Sequence, residues 1–299
     1  MNPIVALIIA NIIWGAASPI FKFSLENIPP FTLAFIRFFF ASFLFLPFTL
    51  KYLKQLTRKN IFEIVVSSFF GITVNISAFF LGLAKTTSIN APIIASAGPV
   101  FIYLLSLIFL KEVMNRKVLL GMIIALLGVL FIIFSPILFD GNSFQFGEFQ
   151  GNLLFLIATL GAVFNTILNK DILRKVHPLP LTYVGFIFGA FTFLPFMLGE
   201  LQSWNFSQLD MKGWTGIIYG ILLSSAIAYF LFNYAMSKLN AQEVGIFTYI
   251  DPVAAIIIAI PLLGEVPSVY FVAGSMLVFG GIFIAEKRIQ WHPLNKLKM

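Results

Sequence analysis

The second half of the chain carries a copy of part of the first half. Residues 235–286, moved back by 153 positions, lie over residues 82–133 without a gap. The less common residue types keep this register: the matches include Lys85 with Lys238, Pro99 with Pro252, Glu112 with Glu265, Gly121 with Gly274 and Gly128 with Gly281. Matches of this kind are typical of an internal duplication. We therefore expect two related halves, with the functional site where they meet.

The apolar content places both halves in a membrane. Hydrophobic residues make up 60% of the chain and charged residues 10%, against roughly 45–50% and about 25% in soluble domains. A bilayer core about 30 Å thick takes a helix of roughly 20 apolar residues. The sequence therefore predicts an all-α integral membrane protein with ten transmembrane helices, near residues 3–24, 30–50, 61–82, 89–110, 117–136, 151–169, 180–199, 213–236, 242–263 and 268–286. The first is expected to be a retained helix, because it lacks the basic region and cleavage site of a signal peptide.

The basic residues predict the orientation of these helices. Of the 19 lysines and arginines, 15 lie in the C-terminal tail or in the loops on the same side of the predicted topology. Loops rich in Lys and Arg stay in the cytoplasm. Both termini are therefore expected to be cytoplasmic, in a plasma or inner membrane. The net charge of +7 is explained by contact with anionic lipid headgroups, so no nucleic acid partner is expected.

An odd number of helices in each half inverts the second copy relative to the first. The predicted organisation is a five-helix repeat at 1–136, an extracytoplasmic linker at 137–150, an inverted five-helix repeat at 151–286 and a basic cytoplasmic tail at 287–299. Inverted-topology repeats are common in secondary carriers, which bind their substrate near the midplane between the repeats.

Several short motifs, in their order and spacing, carry a family resemblance. They are Ile13-Trp14-Gly15 with Ser18-Pro19, then Phe35-Ile36-Arg37-Phe38, and Pro-Val followed by Glu at Pro99 to Glu112 and at Pro252 to Glu265. Over about residues 3–286 the chain resembles the EamA-type exporters of the drug/metabolite transporter superfamily. The resemblance implies a ten-helix bundle of two inverted repeats, with a central cavity lined mainly by helices one, three, four, six, eight and nine. It also implies export, without ATP, of small metabolites such as amino acids, or of toxic compounds. The acid before the ninth-helix proline, often Glu in such proteins, is Asp251 here.

Polar side chains within transmembrane helices are costly in lipid and usually face protein or water. Helical spacing places Asn11, Trp14 and Ser18 on one face of the first helix, and Ser225, Tyr229 and Asn233 on one face of the eighth. The substrate-binding residues expected on these grounds are Asn11, Trp14, Ser18, Asn75, Asn165, Ser225, Tyr229, Asn233, Tyr249 and Asp251. Packing or an interhelical hydrogen bond is the alternative role for each. Asn169 is expected to be a cap or loop residue.

Asp251 is the most informative of these positions. It lies about nine residues into its predicted helix, roughly 13 Å along it and near the midplane. A carboxylate there costs roughly 2.5–3.5 kcal/mol and therefore needs a partner. Four roles remain open: a proton-coupling group, a counter-ion for a substrate amine, a structural ion pair with Arg37 at similar depth, or a water-exposed residue without a role. The ring of Pro252 removes a backbone hydrogen bond, so freed carbonyls are also expected to be available to a substrate amine.

A second set of residues is expected to be structural. It comprises Arg37, Pro99, Pro252, Glu112, Glu265, Gly121, Gly128, Gly274 and Gly281. The two glutamates are expected to cap backbone N–H groups near the start of the next helix. The glycine pairs, each seven residues apart, are expected to make close helix contacts in helices five and ten.

Other functional classes have less support. The chain has no cysteine and only two histidines, so no metal site, cofactor or catalytic constellation is expected, and an intramembrane enzyme is disfavoured. A sugar-phosphate exchanger would need more intramembrane cations than Arg37. A nonsaturable channel or scramblase stays open as an alternative. The expected partners of a carrier are a small-molecule substrate, the lipid bilayer and, if Asp251 couples transport, a proton.

Overall fold

The protein is described here by a computed structural model that covers residues 1–109, 116–138, 146–239, 244 and 247–286, and its regular structure in these ranges is helical. The helices of the first half are α1 (Pro3–Leu25), α2 (Pro30–Leu53), α3 (Arg58–Ser68), α4 (Asn75–Leu83), α5 (Asn90–Ala95), α6 (Gly98–Phe109) and α7 (Arg116–Leu138). Those of the second half are α8 (Phe146–Ile172), α9 (Pro178–Glu200), α10 (Met211–Ile218), α11 (Ala228–Lys238), α12 (Ile250–Leu263) and α13 (Val269–Glu286). The expected all-α class is confirmed.

Two segments of π-helix interrupt the regular helices. Phe69–Val74 joins α3 to α4, and Tyr219–Ile227 joins α10 to α11. Each combined helix therefore runs on without a loop, but with a wider turn in its middle. Segments of π-helix occur mostly as short insertions and are frequent at functional sites.

The expected ten full-length spans are found only in part. Seven helices in the described ranges are long and apolar enough to cross a membrane: Pro3–Leu25, Pro30–Leu53, Arg58–Leu83, Val118–Leu138, Phe146–Ile172, Pro178–Glu200 and Met211–Lys238. Three further apolar helices are shorter, at Asn90–Leu105, Phe247–Leu263 and Val269–Ala285. One reason for the shorter helices is visible in the fourth span, where a turn separates α5 from α6.

The two prolines of the duplicated motif begin helices and do not break them. Pro99 is the second residue of α6, and Pro252 is the third residue of α12, after a short 3-10 turn at Phe247–Tyr249. Backbone N–H groups in the first turn of a helix have no partner within that helix, so a proline there removes nothing. The expectation that Pro252 frees a carbonyl within a continuous helix is therefore wrong.

The glycine pairs lie at a direct contact between α7 and α13. A Cβ added to Gly121 would lie 2.4 Å from the carbonyl oxygen of Gly281, and one added to Gly128 would lie 2.7 Å from the carbonyl oxygen of Gly274. The two backbones therefore touch, and any side chain would push them apart. This contact joins the last described helix of each half.

The other main contacts also connect the halves. Helix α2 packs on α9, α1 packs on α11 and α12, and α8 packs on α4 and α5. Bulky aromatic residues of the apolar core, such as Phe38, Phe186 and Phe193, are fully buried at the α2–α9 contact. The fold therefore encloses its interior between helices of both halves.

We predict that Gly281→Ala destabilises the protein and that Gly280→Ala does not. Both changes remove a helical glycine and gain the same helix propensity, about 1 kcal/mol. A Cβ at Gly281 would meet backbone of α7 at 2.4 Å, whereas one at Gly280 has open space. Overpacking of about 1–3 kcal/mol should lower the melting temperature of Gly281→Ala in detergent by roughly 3–10 °C relative to Gly280→Ala. Equal melting temperatures would show that the contact has no energetic importance.

Candidate functional site: a cavity between the two halves

A cavity of about 230 Å³ lies between the halves. Its wall is formed by α1, α2, the two helices that contain π segments, α5, α6, α8 and α12. This is the helix set that the family resemblance implies, with α2 added. Seven of the ten expected substrate-binding residues line it: Trp14, Ser18, Asn75, Asn165, Tyr229, Asn233 and Asp251. Pro99 and Arg37, expected to be structural, line it as well.

Three expected substrate-binding residues do not line the cavity. Asn11 is fully buried, and its amide nitrogen donates to the carbonyl of Leu7 in its own helix. Ser225 is also fully buried and bonds to Arg37. The ring of Tyr249 packs edge-on against Phe279, with centroids 6.5 Å apart.

The π segment of the eighth span determines which serine reaches the cavity. Within Tyr219–Ile227 the helix turns more widely, so the regular spacing of Ser225, Tyr229 and Asn233 does not give one straight stripe. Ser224 therefore lines the cavity where Ser225 was expected. The backbone N–H of Ala228 donates to the carbonyls of Leu223 and Ser225 and not to the carbonyl of Ser224.

Trp14 is positioned by this irregular turn. Its indole N–H donates to the Ser224 carbonyl oxygen over 3.1 Å. The ring packs edge-on against Tyr229, with centroids 5.2 Å apart, and tilted against Phe232, at 4.9 Å. Aromatic pairs at such distances stabilise each other, so the three rings form a fixed aromatic wall.

The asparagines beside the first π segment, Asn75 of α4 and Asn165 of α8, mostly connect helices. The side-chain nitrogen of Asn75 donates to the carbonyl of Ala158 in α8 over 2.7 Å. That of Asn165 donates to the backbone carbonyl and the hydroxyl of Ser67, both over 3.0 Å. The Ser67 hydroxyl also bonds to Asn169, which is 5% exposed and lies inside α8. The expectation that Asn169 is a cap or loop residue is therefore wrong, because the helix extends past it to Ile172.

Arg37 enters the cavity wall from α2 and is held rigidly there. The residue is 2% exposed. Its Nε donates to the Ser225 hydroxyl and one terminal nitrogen donates to the Ser224 hydroxyl, both over 3.0 Å. The guanidinium carbon lies 4.7 Å from the ring centres of both Phe21 and Phe38. Cation–π contacts of this length are favourable, more so away from water.

Asp251 and Arg37 line the same cavity but do not pair. Among the described residues, the ion pairs within 4.0 Å do not include either of them. The Oδ1 atom of Asp251 is buried, with no hydrogen-bond partner in these ranges. The carboxylate lies in the first turn of α12, where the helix dipole favours negative charge. The ion pair between Asp251 and Arg37, one of the roles left open for Asp251, is therefore absent from the described residues of this structure.

Comparison with known proteins identifies the family. A model described as the EamA-like transporter family matches residues 1–134 and 149–286. The chain belongs to the EamA-like transporter family. The family and the apolar helices make it a multi-pass membrane protein, and the family points to a transporter more than to an enzyme.

Relatives of this EamA-like transporter carry transporter names without a substrate. The uncharacterized transporter YetK of Bacillus subtilis is 31% identical over 288 residues, which cover 95% of this chain and 86% of the relative. An uncharacterized transporter of Archaeoglobus fulgidus is 27% identical over 288 residues, covering 96% of this chain and 100% of the relative. A crystal structure with 16% identity matches at a TM-score of 0.65 over 94% of this chain and 96% of its own. At that identity it supports the fold alone.

A charged cluster beyond the C-terminus of α12 links the two halves. Gly264 ends α12 with a φ of 66°, in the left-handed region that favours glycine, and so turns the chain toward α1. Glu265 then accepts the N–H of Ser88 at 2.9 and 3.0 Å, the Ser88 hydroxyl at 2.7 Å and the ammonium of Lys22 at 2.9 Å. The same ammonium donates to the carbonyl of Thr86 over 2.7 Å.

Glu265 therefore caps backbone N–H groups, but not those of the helix that was expected. It bonds to the amides of Ser88 and Ile89, just before α5 in the other half. The N-terminus of α13 is instead served by Ser268, whose hydroxyl accepts the N–H of Phe271 over 3.1 Å. The copy of Glu265 in the first half, Glu112, lies outside the described residues.

Lys170 of α8 has a role like that of Lys22. Its ammonium donates to the carbonyl of Met236 over 2.9 Å and also to that of Leu239. Leu239 is the residue that matches Thr86 when the halves are overlaid. In each half, a lysine of the first helix thus donates to a corresponding carbonyl in the loop between the third and fourth spans of the same half.

We predict that Glu265→Gln destabilises the transporter much more than Glu26→Gln. The side chain of Glu265 is 9% exposed and serves several donors, whereas Glu26, in its ion pair with Lys212, is 51% exposed. Loss of charge-assisted hydrogen bonds from a buried group costs about 1–3 kcal/mol, and an exposed pair contributes about 0–1 kcal/mol. Thermal unfolding in detergent measures both. Similar melting temperatures for the two variants would contradict the role given to the cluster.

Proposed function

We propose that this EamA-like transporter is a secondary exporter of small amphipathic metabolites, amino acids or related compounds, and works by alternating access without ATP. The observation that carries the proposal is the cavity. It receives side chains from both halves and combines a mainly apolar wall with a carboxylate and a guanidinium that do not pair. Apolar pockets with a few convergent polar groups are typical of small-molecule sites.

The proposed architecture is ten membrane helices in two inverted five-helix repeats, 1–136 and 151–286. Support comes from irregular features that recur at matching positions. Shifted by 153 residues, the π segment Phe69–Val74 lies over 222–227, within the second π segment Tyr219–Ile227. The same shift places Ser96, which directly follows α5, over Tyr249, which directly precedes α12. Features that tertiary packing imposes would not recur in this way without a shared fold.

We place both termini in the cytoplasm and the protein in a plasma or inner membrane, because the basic residues concentrate in loops on one side. In this orientation the cluster of Lys22, Glu265 and Ser88 lies at the extracytoplasmic end. Release of an exported substrate then requires this cluster to separate. Alternating access of inverted repeats is a rocking of one repeat against the other around a fixed site.

Asp251 has two roles in this proposal, since the ion pair with Arg37 is absent. One is a counter-ion for a substrate amine. The other is a coupling group that carries a proton in exchange for the substrate. Both use the same observation, a buried carboxylate oxygen without a partner among the described residues.

The other functional classes have less support from the cavity. Among its described lining residues, Arg37 is the only cation and Asp251 the only acid, so a doubly charged phosphate ester would lack compensation. A channel would need an open path, and the Glu265 cluster bridges the two halves.

The test is uptake and counterflow of labelled amino acids and amines in proteoliposomes, with and without an imposed pH gradient, for wild type and Asp251→Asn. We predict saturable counterflow by wild type. If Asp251 couples protons, the variant loses the response to the gradient and keeps counterflow. If Asp251 is the counter-ion, the variant loses amine counterflow itself.

The matched control is Asp171→Asn, which removes an acid whose side chain is 74% exposed outside the cavity. It should behave as wild type in both assays. Wild-type flux that never saturates for any compound would contradict the carrier proposal and favour a channel.

A further inference from the structure

Arg37 is a buried cation that no acidic side chain among the described residues neutralises. The residue is 2% exposed, and the ion pairs of the described residues do not include it. Its two hydrogen-bond partners, Ser224 and Ser225, are neutral hydroxyls. The rings of Phe21 and Phe38 contact the guanidinium through their faces, which carry no formal charge. A guanidinium has five N–H donors, and the two serines engage two of its nitrogens.

An arginine at this position is energetically unfavourable, which indicates a functional role. A charge within a membrane helix costs several kcal/mol even on insertion scales, and such residues are usually functional. Arg37 also lines the cavity, together with Ser224, Phe21 and Trp14. An anionic group that enters the cavity would therefore meet a fixed, desolvated guanidinium. The planar fork of arginine matches a carboxylate with two parallel hydrogen bonds.

The cavity limits what that anionic group can belong to. Its volume of about 230 Å³ lies near the lower end of small-molecule pockets, which span about 300–1,000 Å³. Among the described lining residues Asp251 is the one acid and Arg37 the one cation, and most of the others are apolar or aromatic. A small molecule with a carboxylate, an amine and a short apolar part complements this set.

We propose that Arg37 binds the carboxylate of the transported compound and so makes that carboxylate a requirement for transport. The residue is then a specificity determinant and not only a support of α2. Ser224 and Ser225 hold the guanidinium in place, and the π segment brings the two adjacent hydroxyls to one arginine. This inference rests on the proposed function, since it assigns a substrate group to the same cavity.

The first test uses wild-type protein and ligands that share one apolar part. L-Leucine carries both charges, leucinamide keeps the amine and replaces the carboxylate by a neutral amide, and 3-methylbutylamine lacks the group altogether. Each competes against labelled leucine for counterflow in proteoliposomes. A lost charge-assisted hydrogen bond predicts that the two amines bind roughly 10- to 100-fold more weakly than leucine.

The second test changes the arginine. In Arg37→Met the difference in apparent affinity between leucine and leucinamide should shrink to a few-fold. Arg37→Lys should lie between, because lysine keeps the charge and loses the fork. If Arg37→Met does not fold, the wild-type comparison and Arg37→Lys decide the question.

The outcomes separate this inference from the proposed function. Saturable transport of 3-methylbutylamine or leucinamide as tight as that of leucine would overturn the role of Arg37 and leave the exporter proposal standing. An unchanged preference for leucine in Arg37→Met would also overturn it. Absence of saturable transport for every compound would count against both.

Discussion

In lipid, the backbone N–H and C=O groups of a helix must form hydrogen bonds within the protein. The cavity of this protein lies where the chain departs from the regular α-helical hydrogen-bond pattern. In Tyr219–Ile227 the ladder shifts to a wider turn. The carbonyl oxygen of Ser224 then accepts a hydrogen bond from the indole N–H of Trp14. The hydroxyls of Ser224 and Ser225 accept hydrogen bonds from Arg37. One irregular turn thus orients both the aromatic wall and the cation. The matching segment of the first half packs against α8, where a Cβ on Gly161 would lie 2.7 Å from the carbonyl oxygen of Phe70.

The second constraint is the separation of two buried charges. Arg37 is held by serines and aromatic faces, and Asp251 lies at the N-terminal turn of α12. A pair between them would stabilise an empty cavity and oppose the entry of a charged substrate. Kept apart, neither charge has an ionic partner among the described residues, and the proposed substrate would supply one to each. The salt bridge of Lys22 with Glu265 is formed by residues that do not line the cavity, and it links the two halves.

The sequence predicted the features that follow from regular periodicity. Gly121 and Gly128 are seven residues apart, so any α-helix places them on one face. The duplication indicated that their copies, Gly274 and Gly281, would make a similar close helix contact. The identity of the cavity serine could not be predicted, because a spacing of four assumes a regular α-helix and packing produces the π turn. The partners of Glu265 lie in the other half, Ser88 among them 177 positions away, and no local pattern reveals them. Asn169 was misplaced because predicted helix ends are uncertain by several residues.

The most direct test of the account is whether the cavity can be reached from both faces of the membrane. The chain has no cysteine, so a single Ala95→Cys places a unique thiol in the cavity wall. Membrane-impermeant maleimide should label it in both inside-out and right-side-out vesicles, and excess leucine should slow labelling from each face. Ala125→Cys, fully buried between α7 and α13, sets the background. Labelling of Ala95→Cys at that background from either face would contradict alternating access to this cavity.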